Sequence, residues 1–191
     1  LLLFAADGSV HADNTDGPGL LGAVAAQAPG FDVKAAPVVI LGAGGAARGA
    51  VAALLLAGAP EIRIVNRTLA RARDLAEAFG DKVVAAGETS LPGLLADAGL
   101  VINATSLGLG GGEGPAADLS LTPTSAVIMD MVYKPLRTEF LRRAEAAGRR
   151  TVDGLEMLLR QAIPTFEAIY GVAPSPAVDA RGLALALLGE A

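Results

Sequence analysis

The residues best suited to chemistry form two short groups separated by one helix and one strand's length. The first is Gly42-Ala43-Gly44-Gly45-Ala46-Ala47-Arg48-Gly49, which follows the apolar run Val38-Val39-Ile40-Leu41 and leads into an alanine- and leucine-rich stretch. Glycine permits positive φ in a tight turn and lets the backbone approach a pyrophosphate. The first N–H groups of the following helix supply unpaired donors and the positive end of its dipole. Ala47 stands where the GxGxxG fingerprint has its third glycine, a substitution the fingerprint allows. A ligand-free glycine turn is the alternative. The strand before, the helix after and a second strand ending at Val65, about 20 residues on, favour the dinucleotide reading.

The second group lies at the end of that second strand. An NAD-binding domain usually places Asp or Glu there to accept hydrogen bonds from the adenosine ribose. This sequence has Asn66-Arg67-Thr68, with Arg71 one helical turn later. With no acid among these residues to repel a 2′-phosphate, two guanidiniums are free to bind one through charge-assisted hydrogen bonds, so the expected cofactor is NADP. Thr68 also suits the N-cap of the helix that starts at Leu69. Solvated helix charge is the ordinary alternative for these arginines. Arg67 precedes the helix at the ligand-facing strand end; it and Arg71 are read as functional, Arg73 as surface.

Other chemistries are thinly represented. There is no cysteine, hence no disulfide, thiolate nucleophile or cysteine metal site. His11, the single histidine, has no partner cluster and reads as a surface loop residue beside Asp13. No His, Asp or Glu spacing suits a metal. A net charge of −5 argues against a nucleic-acid surface. No apolar run reaches the roughly 18 residues of a membrane span, so no membrane partner is expected. A cytoplasmic location is compatible with all of this.

The elements that must position the two groups follow from periodicity. Short β-branched runs at 38–41, 61–65, 82–85, 100–103, 126–129 and 150–152 alternate with helical stretches near 45–58, 69–79, 91–98 and 138–148. This alternation predicts an α/β fold, a Rossmann-type doubly wound parallel sheet of about six strands with helices on both faces. In 69–79, Leu69, Ala72, Leu75, Ala76 and Phe79 recur at helical spacing while charged residues take the other positions. Two helices close the chain, near 154–170 and 178–188, and Pro164 is expected to kink or interrupt the first. Another helix is expected near 17–28, with Asp16 as a candidate N-cap. The glycine-rich stretch 108–114 reads equally as a ligand loop or a mobile surface loop. The chain's 191 residues are 52% hydrophobic but include only 5 Phe, 2 Tyr and no Trp, so the core should be aliphatic and small-residue.

Five ordered segments narrow the reading. Asp13-Asn14-Thr15-Asp16-Gly17, the glycine loop, Asn103-Ala104-Thr105-Ser106, Asp130-Met131-Val132-Tyr133 and Asp153-Gly154-Leu155-x-Met157-Leu158-x-x-Gln161 together resemble the shikimate dehydrogenase family over essentially the whole chain. The resemblance implies reversible hydride transfer between NADPH and the 3-carbonyl of 3-dehydroshikimate, giving shikimate. It implies that Asp16 is a catalytic aspartate contacting substrate hydroxyls, that Gln161 binds substrate and that Tyr133 lies beside it. By the same resemblance, Gly42, Ala43, Gly44, Gly45, Ala46 and Ala47 bind the pyrophosphate; Asn66, Arg67, Thr68 and Arg71 hold the adenosine phosphate; and Thr105, Met131 and Gly154 meet the nicotinamide end. Singly, Asp16 reads as a helix cap, Gln161 as an exposed helical residue and Tyr133 as half-buried; membership of ordered motifs reverses those preferences.

Family members also carry an amino-terminal α/β domain with a serine-rich carboxylate site and a catalytic lysine. Neither precedes Leu1, and Lys34, Lys82 and Lys134 lie in none of those settings. The resemblance therefore implies a fragment lacking its catalytic lysine. Residues 1–16 would be a remnant of the substrate domain and a hinge, and 17–191 the NADP-binding domain. Leu1-Leu2-Leu3-Phe4 reads as a strand left without its domain, a template for self-association. A quinate or dual-specificity relative using NAD and a non-catalytic NADP-binding domain are the alternatives.

Overall fold

The computed structural model describes residues 1–190. The chain opens with strands β1 (Leu2–Phe4) and β2 (Val10–Ala12), then helix α1 (Asp16–Gln27) and strand β3 (Val38–Leu41). It continues through α2 (Gly45–Leu56), β4 (Ile62–Val65), α3 (Leu69–Phe79), β5 (Val83–Ala86), α4 (Leu91–Leu95) and β6 (Leu100–Asn103). It ends with β7 (Val127–Asp130), α5 (Glu139–Ala146), β8 (Arg150–Val152), α6 (Gly154–Tyr170) and α7 (Ala180–Leu188). Strands β3 to β8 form one parallel sheet in the order β5-β4-β3-β6-β7-β8, the doubly wound arrangement expected from the alternating pattern.

The central strands read as unbroken apolar runs because both of their faces are covered. Val38 and Ile40 of β3 pack with Leu20 of α1, Val51 of α2, Leu75 of α3 and Met157 of α6. Val39 and Leu41 turn the other way, toward Leu95 of α4 and Phe140 of α5. Alternation within one strand thus feeds two cores. Arg63, in the middle of β4, is carried on the second face, where its guanidinium donates to the Leu94 carbonyl at 2.9 Å and pairs with Asp97 and Glu61.

Register places the chemistry. Leu41 lies opposite Val65 and Asn103, Asn103 opposite Asp130, and Met129 opposite Val152. The next residues, Gly42, Asn66, Ala104 and Met131, therefore leave the sheet side by side at its carboxyl edge, with Gly154 two residues past Val152. Between β3 and β6 the strand order reverses, the crevice where such sheets bind ligands.

Several sequence expectations need correction. The amino-terminal strand is not unpaired: β1 pairs antiparallel with β2, Leu3 opposite His11, around an Asp7-Gly8-Ser9 turn. In that turn Gly8 has φ +86°, and Asp7 accepts from the Ser9 N–H and hydroxyl. His11 is exposed as expected, but on a strand rather than a loop. Pro164 does not interrupt α6, which runs continuously from Gly154 to Tyr170; the missing N–H removes one bond, and the Thr165 hydroxyl donates to the Gln161 carbonyl at 3.1 Å beside the gap. The helix expected near 91–98 is only Leu91–Leu95, preceded by a 3₁₀ turn at Glu88–Ser90. The glycine-rich stretch contains a 3₁₀ turn at Leu109–Gly111 and is tied down: Gly110 N–H donates to the Lys134 carbonyl at 2.9 Å and Gly114 N–H to Glu139 at 3.0 Å.

Candidate cofactor and substrate site

The turn after β3 needs glycine twice over. Gly42 has φ +108°, and a Cβ there would lie 3.0 Å from both the Ala104 carbonyl oxygen and Thr105 Cγ2. The turn therefore packs directly against the end of β6. Helix α2 begins at Gly45 behind an N-cap Gly44 with no side-chain cap, so its first N–H groups face outward without carbonyl partners. Ala43 is half-buried, Ala46 exposed, and Ala47 fully buried in the core, its methyl turned away from the open side of the turn.

Gly42, Asn66, Arg67, Thr68, Arg71 and Thr105 line one cleft of about 390 Å³ over the strand-order reversal. Its inner walls are Leu41 and Val65, and its outer side is Leu107 and Pro115. Arg71 also lines an adjoining hollow of about 280 Å³ with Ala43, Gly44, Gly45 and Arg48. The glycine loop and the Arg67 group, 20 or more positions apart in sequence, are thus one continuous surface. Thr68 occupies the N-cap position of α3, yet its side chain accepts no capping bond. Asn66 donates to the Thr68 carbonyl at 2.9 Å, fixing the bend that turns Arg67 outward.

Below the cleft, a buried polar network sets the edge. Asn103 donates to Asp130 at 2.9 Å and to the Leu107 carbonyl at 3.1 Å, and accepts from the Thr105 N–H at 3.0 Å and hydroxyl at 2.7 Å. Asp130 also accepts from the Val132 N–H at 3.0 Å and the Thr138 hydroxyl at 2.6 Å. Burial pushes the Asp130 carboxyl above its ordinary pKa, although these three donors work in the opposite direction. The network orients Thr105 on one side and Met131 on the other. Gly154 meets Met131 from below: a Cβ on it would lie 2.5 Å from the Met131 carbonyl oxygen, so only glycine lets α6 begin there.

The candidate substrate residues sit on two helices in contact. Gly19 of α1 abuts α6 so closely that a Cβ would come 2.8 Å from Gln161 Cβ. One turn earlier on α1 is Asp16. It is the first helical residue rather than the cap, the cap position belonging to Thr15. The Asp16 N–H donates to Asn14 Oδ1 at 2.8 Å, and its carboxylate accepts no bond among the described residues. It lies beside Gly49 of α2, where a Cβ would be 3.6 Å from Asp16 Oδ2. Gln161 lines a groove of about 330 Å³ with Thr15, Leu158, Thr165 and Phe166. Tyr133 is exposed on the segment after β7 and lines none of these hollows.

Sequence reasoning gave no site role to four residues of this region. Glu88, just past the end of β5, lines the Arg67 cleft, so the cleft does contain an acid, supplied by the neighbouring strand. Arg48 lines the glycine-loop hollow, its guanidinium 5.9 Å from the centre of the Phe79 ring. Asn103 and Asp130 are the buried supports; a polar residue ending an otherwise apolar central strand is the signal for both.

Comparisons with known proteins bear on the fold and the family. The family profile described as "Shikimate / quinate 5-dehydrogenase" matches residues 23–108. A Caulobacter vibrioides protein named shikimate dehydrogenase (NADP(+)) is 82% identical over 190 residues, covering 100% of this chain and 67% of that protein. Among solved structures, shikimate 5-dehydrogenase from Thermus thermophilus in complex with NADP(H) and shikimate superposes with a TM-score of 0.77 at 36% identity, over 92% of this chain and 63% of that one. Quinate dehydrogenase from Corynebacterium glutamicum in complex with NAD superposes with a TM-score of 0.82 at 29% identity, over 91% of this chain and 63% of that one. This chain spans about two thirds of these proteins' lengths, and its identity to the first across its whole extent makes it a member of the shikimate dehydrogenase family.

Proposed function

We propose that this chain is the NADP-binding part of a shikimate dehydrogenase, an oxidoreductase of aromatic amino-acid biosynthesis acting in the cytoplasm, with residues 17–191 as the cofactor domain and 1–16 as a hinge and remnant of the substrate domain. The observation that carries the reading is the single cleft in which Gly42, Arg67, Thr68 and Arg71 meet at the strand-order reversal. NADPH, when bound, supplies the hydride that reduces the 3-carbonyl of 3-dehydroshikimate. The first N–H groups of α2 bind its pyrophosphate. Asn66, Arg67, Thr68 and Arg71 hold the adenosine phosphate, and the uncapped Thr68 hydroxyl is free for that bond. Thr105, Met131 and Gly154 border the nicotinamide end.

Asp16 accepts hydrogen bonds from substrate hydroxyls, and its carboxylate has no partner among the described residues to give up first. The family resemblance assigns proton transfer to a lysine of the amino-terminal domain, which Asp16 would hold charged and oriented. Gln161 binds substrate from α6, and Tyr133 stands at its margin. The chain alone is therefore expected to bind cofactor and to turn over very slowly. The exposed apolar residues Leu2, Phe4 and Val10 of the amino-terminal ribbon, and separately Phe166, Ile169 and Tyr170 of α6, are where a substrate domain would rest; exposed, they favour self-association.

Calorimetric titration of the chain with NADP and with NAD tests the reading, NADP being expected to bind more tightly. Equal affinity would contradict it and support a quinate-type, NAD-using relative, a reading favoured by the likeness to the NAD-bound quinate dehydrogenase. A chain that binds NADP but stays inactive after fusion to a family substrate domain would be a non-catalytic NADP-binding domain.

A further inference from the structure

The cleft holds one acidic residue, Glu88, and phosphate recognition does not use it. Ala86, the last residue of β5, lies opposite Val65, and the Asn66 N–H donates to the Ala86 carbonyl at 3.3 Å. Gly87 is therefore level with Asn66, and Glu88 leaves the sheet beside Arg67. Glu88 lines the same cleft as Arg67 and Arg71. Even so, it is exposed and forms no ion pair or side-chain hydrogen bond among the described residues. An acid beside a 2′-phosphate is unfavourable unless it recognises something else on the same nucleotide.

The chemistry of the cleft identifies that group. Leu41, Val65, Leu91 and Pro115 offer apolar walls suited to the faces of a flat ring, while the arginines mark the end that takes phosphate. An ionised carboxylate only accepts hydrogen bonds. The adenosine half of a dinucleotide carries one strong donor on its base, the exocyclic amino group of adenine. We propose that Glu88 is a specificity-determining residue that accepts the adenine amino hydrogen bond, so that the cleft selects adenine over a 6-oxo base while Arg67 and Arg71 separately select the 2′-phosphate. This rests on the NADP reading above and goes beyond it by assigning base recognition to a residue on a different strand.

The two selections separate experimentally. The chain and its Glu88→Ala and Glu88→Gln variants are titrated with NADP, with NAD and with deamino-NADP, in which hypoxanthine replaces adenine and puts an acceptor where the donor was. The unmutated chain is expected to prefer NADP over deamino-NADP by about tenfold to a hundredfold, the range for a hydrogen bond to a charged group. Glu88→Ala brings that ratio close to one and leaves the NADP-to-NAD ratio at its wild-type value. Glu88→Gln, whose amide can accept or donate, also lowers the ratio while binding both bases. Because Glu88 is exposed, unchanged thermal melting is expected and serves as the folding control. An unchanged base ratio in Glu88→Ala overturns the proposal. So does tighter NADP binding with NAD unaffected, which would mean that Glu88 acts only by repelling the 2′-phosphate. Failure of the unmutated chain to bind NADP at all sinks the dinucleotide reading, and the base assignment with it.

Discussion

The carboxyl edge of the sheet and the outer helices of this chain are held in place by different physics. At the edge, Gly42, Asn66, Thr105 and Met131 leave strands whose residues are almost wholly buried, and backbone register fixes them relative to one another. At the periphery, α7 has no buried residue and Leu187 is 89% exposed. Ion pairs attach it: Arg181 donates to Asp153 at 2.7 Å and to Glu156 at 3.0 Å, while Gln27 holds Asp153 from the other side at 2.7 Å. Helix α6 belongs to both regions. Leu155 and Met157 are buried, whereas Ile169 and Tyr170 at its far end are more than half exposed. The cofactor half of the proposed site is thus supported from beneath by the core. The substrate half stands on elements with one open face, so equal-sized perturbations in the two regions should read out differently.

The largest effect is expected at the seam between them. With the substrate domain supplied by fusion, Asp16→Asn should lower turnover of NADPH with 3-dehydroshikimate by about 100-fold or more and leave NADP affinity unchanged. Asp16 is the first residue of α1, so loss of its charge near the helix dipole should cost below about 1 kcal/mol of stability. Full activity would remove Asp16 from the chemistry, and a parallel loss of NADP binding would dissolve the separation of the two halves. Next in size is Arg67→Ala, expected to weaken NADP by about 1.5 to 3 kcal/mol while hardly changing NAD, measured by calorimetry. Below it comes Arg181→Ala. It leaves two largely covered carboxylates without their shared cation, at a cost of about 1 to 3 kcal/mol. Hydrogen exchange should then speed up in α7 and at the start of α6 but not in β3 or β6. Unchanged protection in α7 would show that packing, not the ion pairs, attaches it.

The sequence was most legible where one physical rule dominates. Strands buried on both faces must be apolar throughout, so all six sheet strands were found within a residue or two, and the glycine turn announced itself by following one of them. A substrate role for Asp16 and Gln161 emerges only from ordered motifs; what brings their helices together is Gly19, whose missing side chain lets α1 approach α6, and no local pattern marks such a contact. Glu88 was invisible for a similar reason. It enters the Arg67 cleft because β5 is the neighbour of β4 in register, and its own surroundings, Gly87 and Thr89, look like an ordinary turn. The apolar residues of the amino-terminal ribbon suggest an unpaired strand, although Asp7-Gly8-Ser9 is a turn signal and closes a two-stranded hairpin. Pro164 misled because its cost in a helix depends on what else the neighbouring backbone and side chains can bond.

The smallest effect expected is a pH dependence of opposite sign in the two regions, each resting on one carboxylate. Burial raises the pKa of Asp130 beneath the cofactor edge. For Asp153, burial acts in the same upward direction, but hydrogen bonds from Arg181 and Gln27 and the Arg181 charge outweigh it and hold the pKa below the ordinary value. An unfolded carboxyl titrates near 3.9 or so, about the reference value. Asp130 binds its proton more tightly when folded, so its contribution to stability is complete below that value and is lost as pH rises through the folded pKa above it. Asp153 binds its proton less tightly when folded, so its contribution is complete above the unfolded value and is lost as pH falls through the folded pKa below it. Thermal melts of the unmutated chain, Asp130→Asn and Asp153→Asn from about pH 6 down to about pH 2.5 should therefore diverge in opposite senses. On acidification the unmutated chain should gain on Asp130→Asn and lose its advantage over Asp153→Asn. Asn can still cap α6 at position 153, so that difference isolates the charge from the cap. If both comparisons run parallel to the pH axis, neither carboxylate's pKa departs from its unfolded value, and the electrostatic part of the contrast between core edge and periphery is removed.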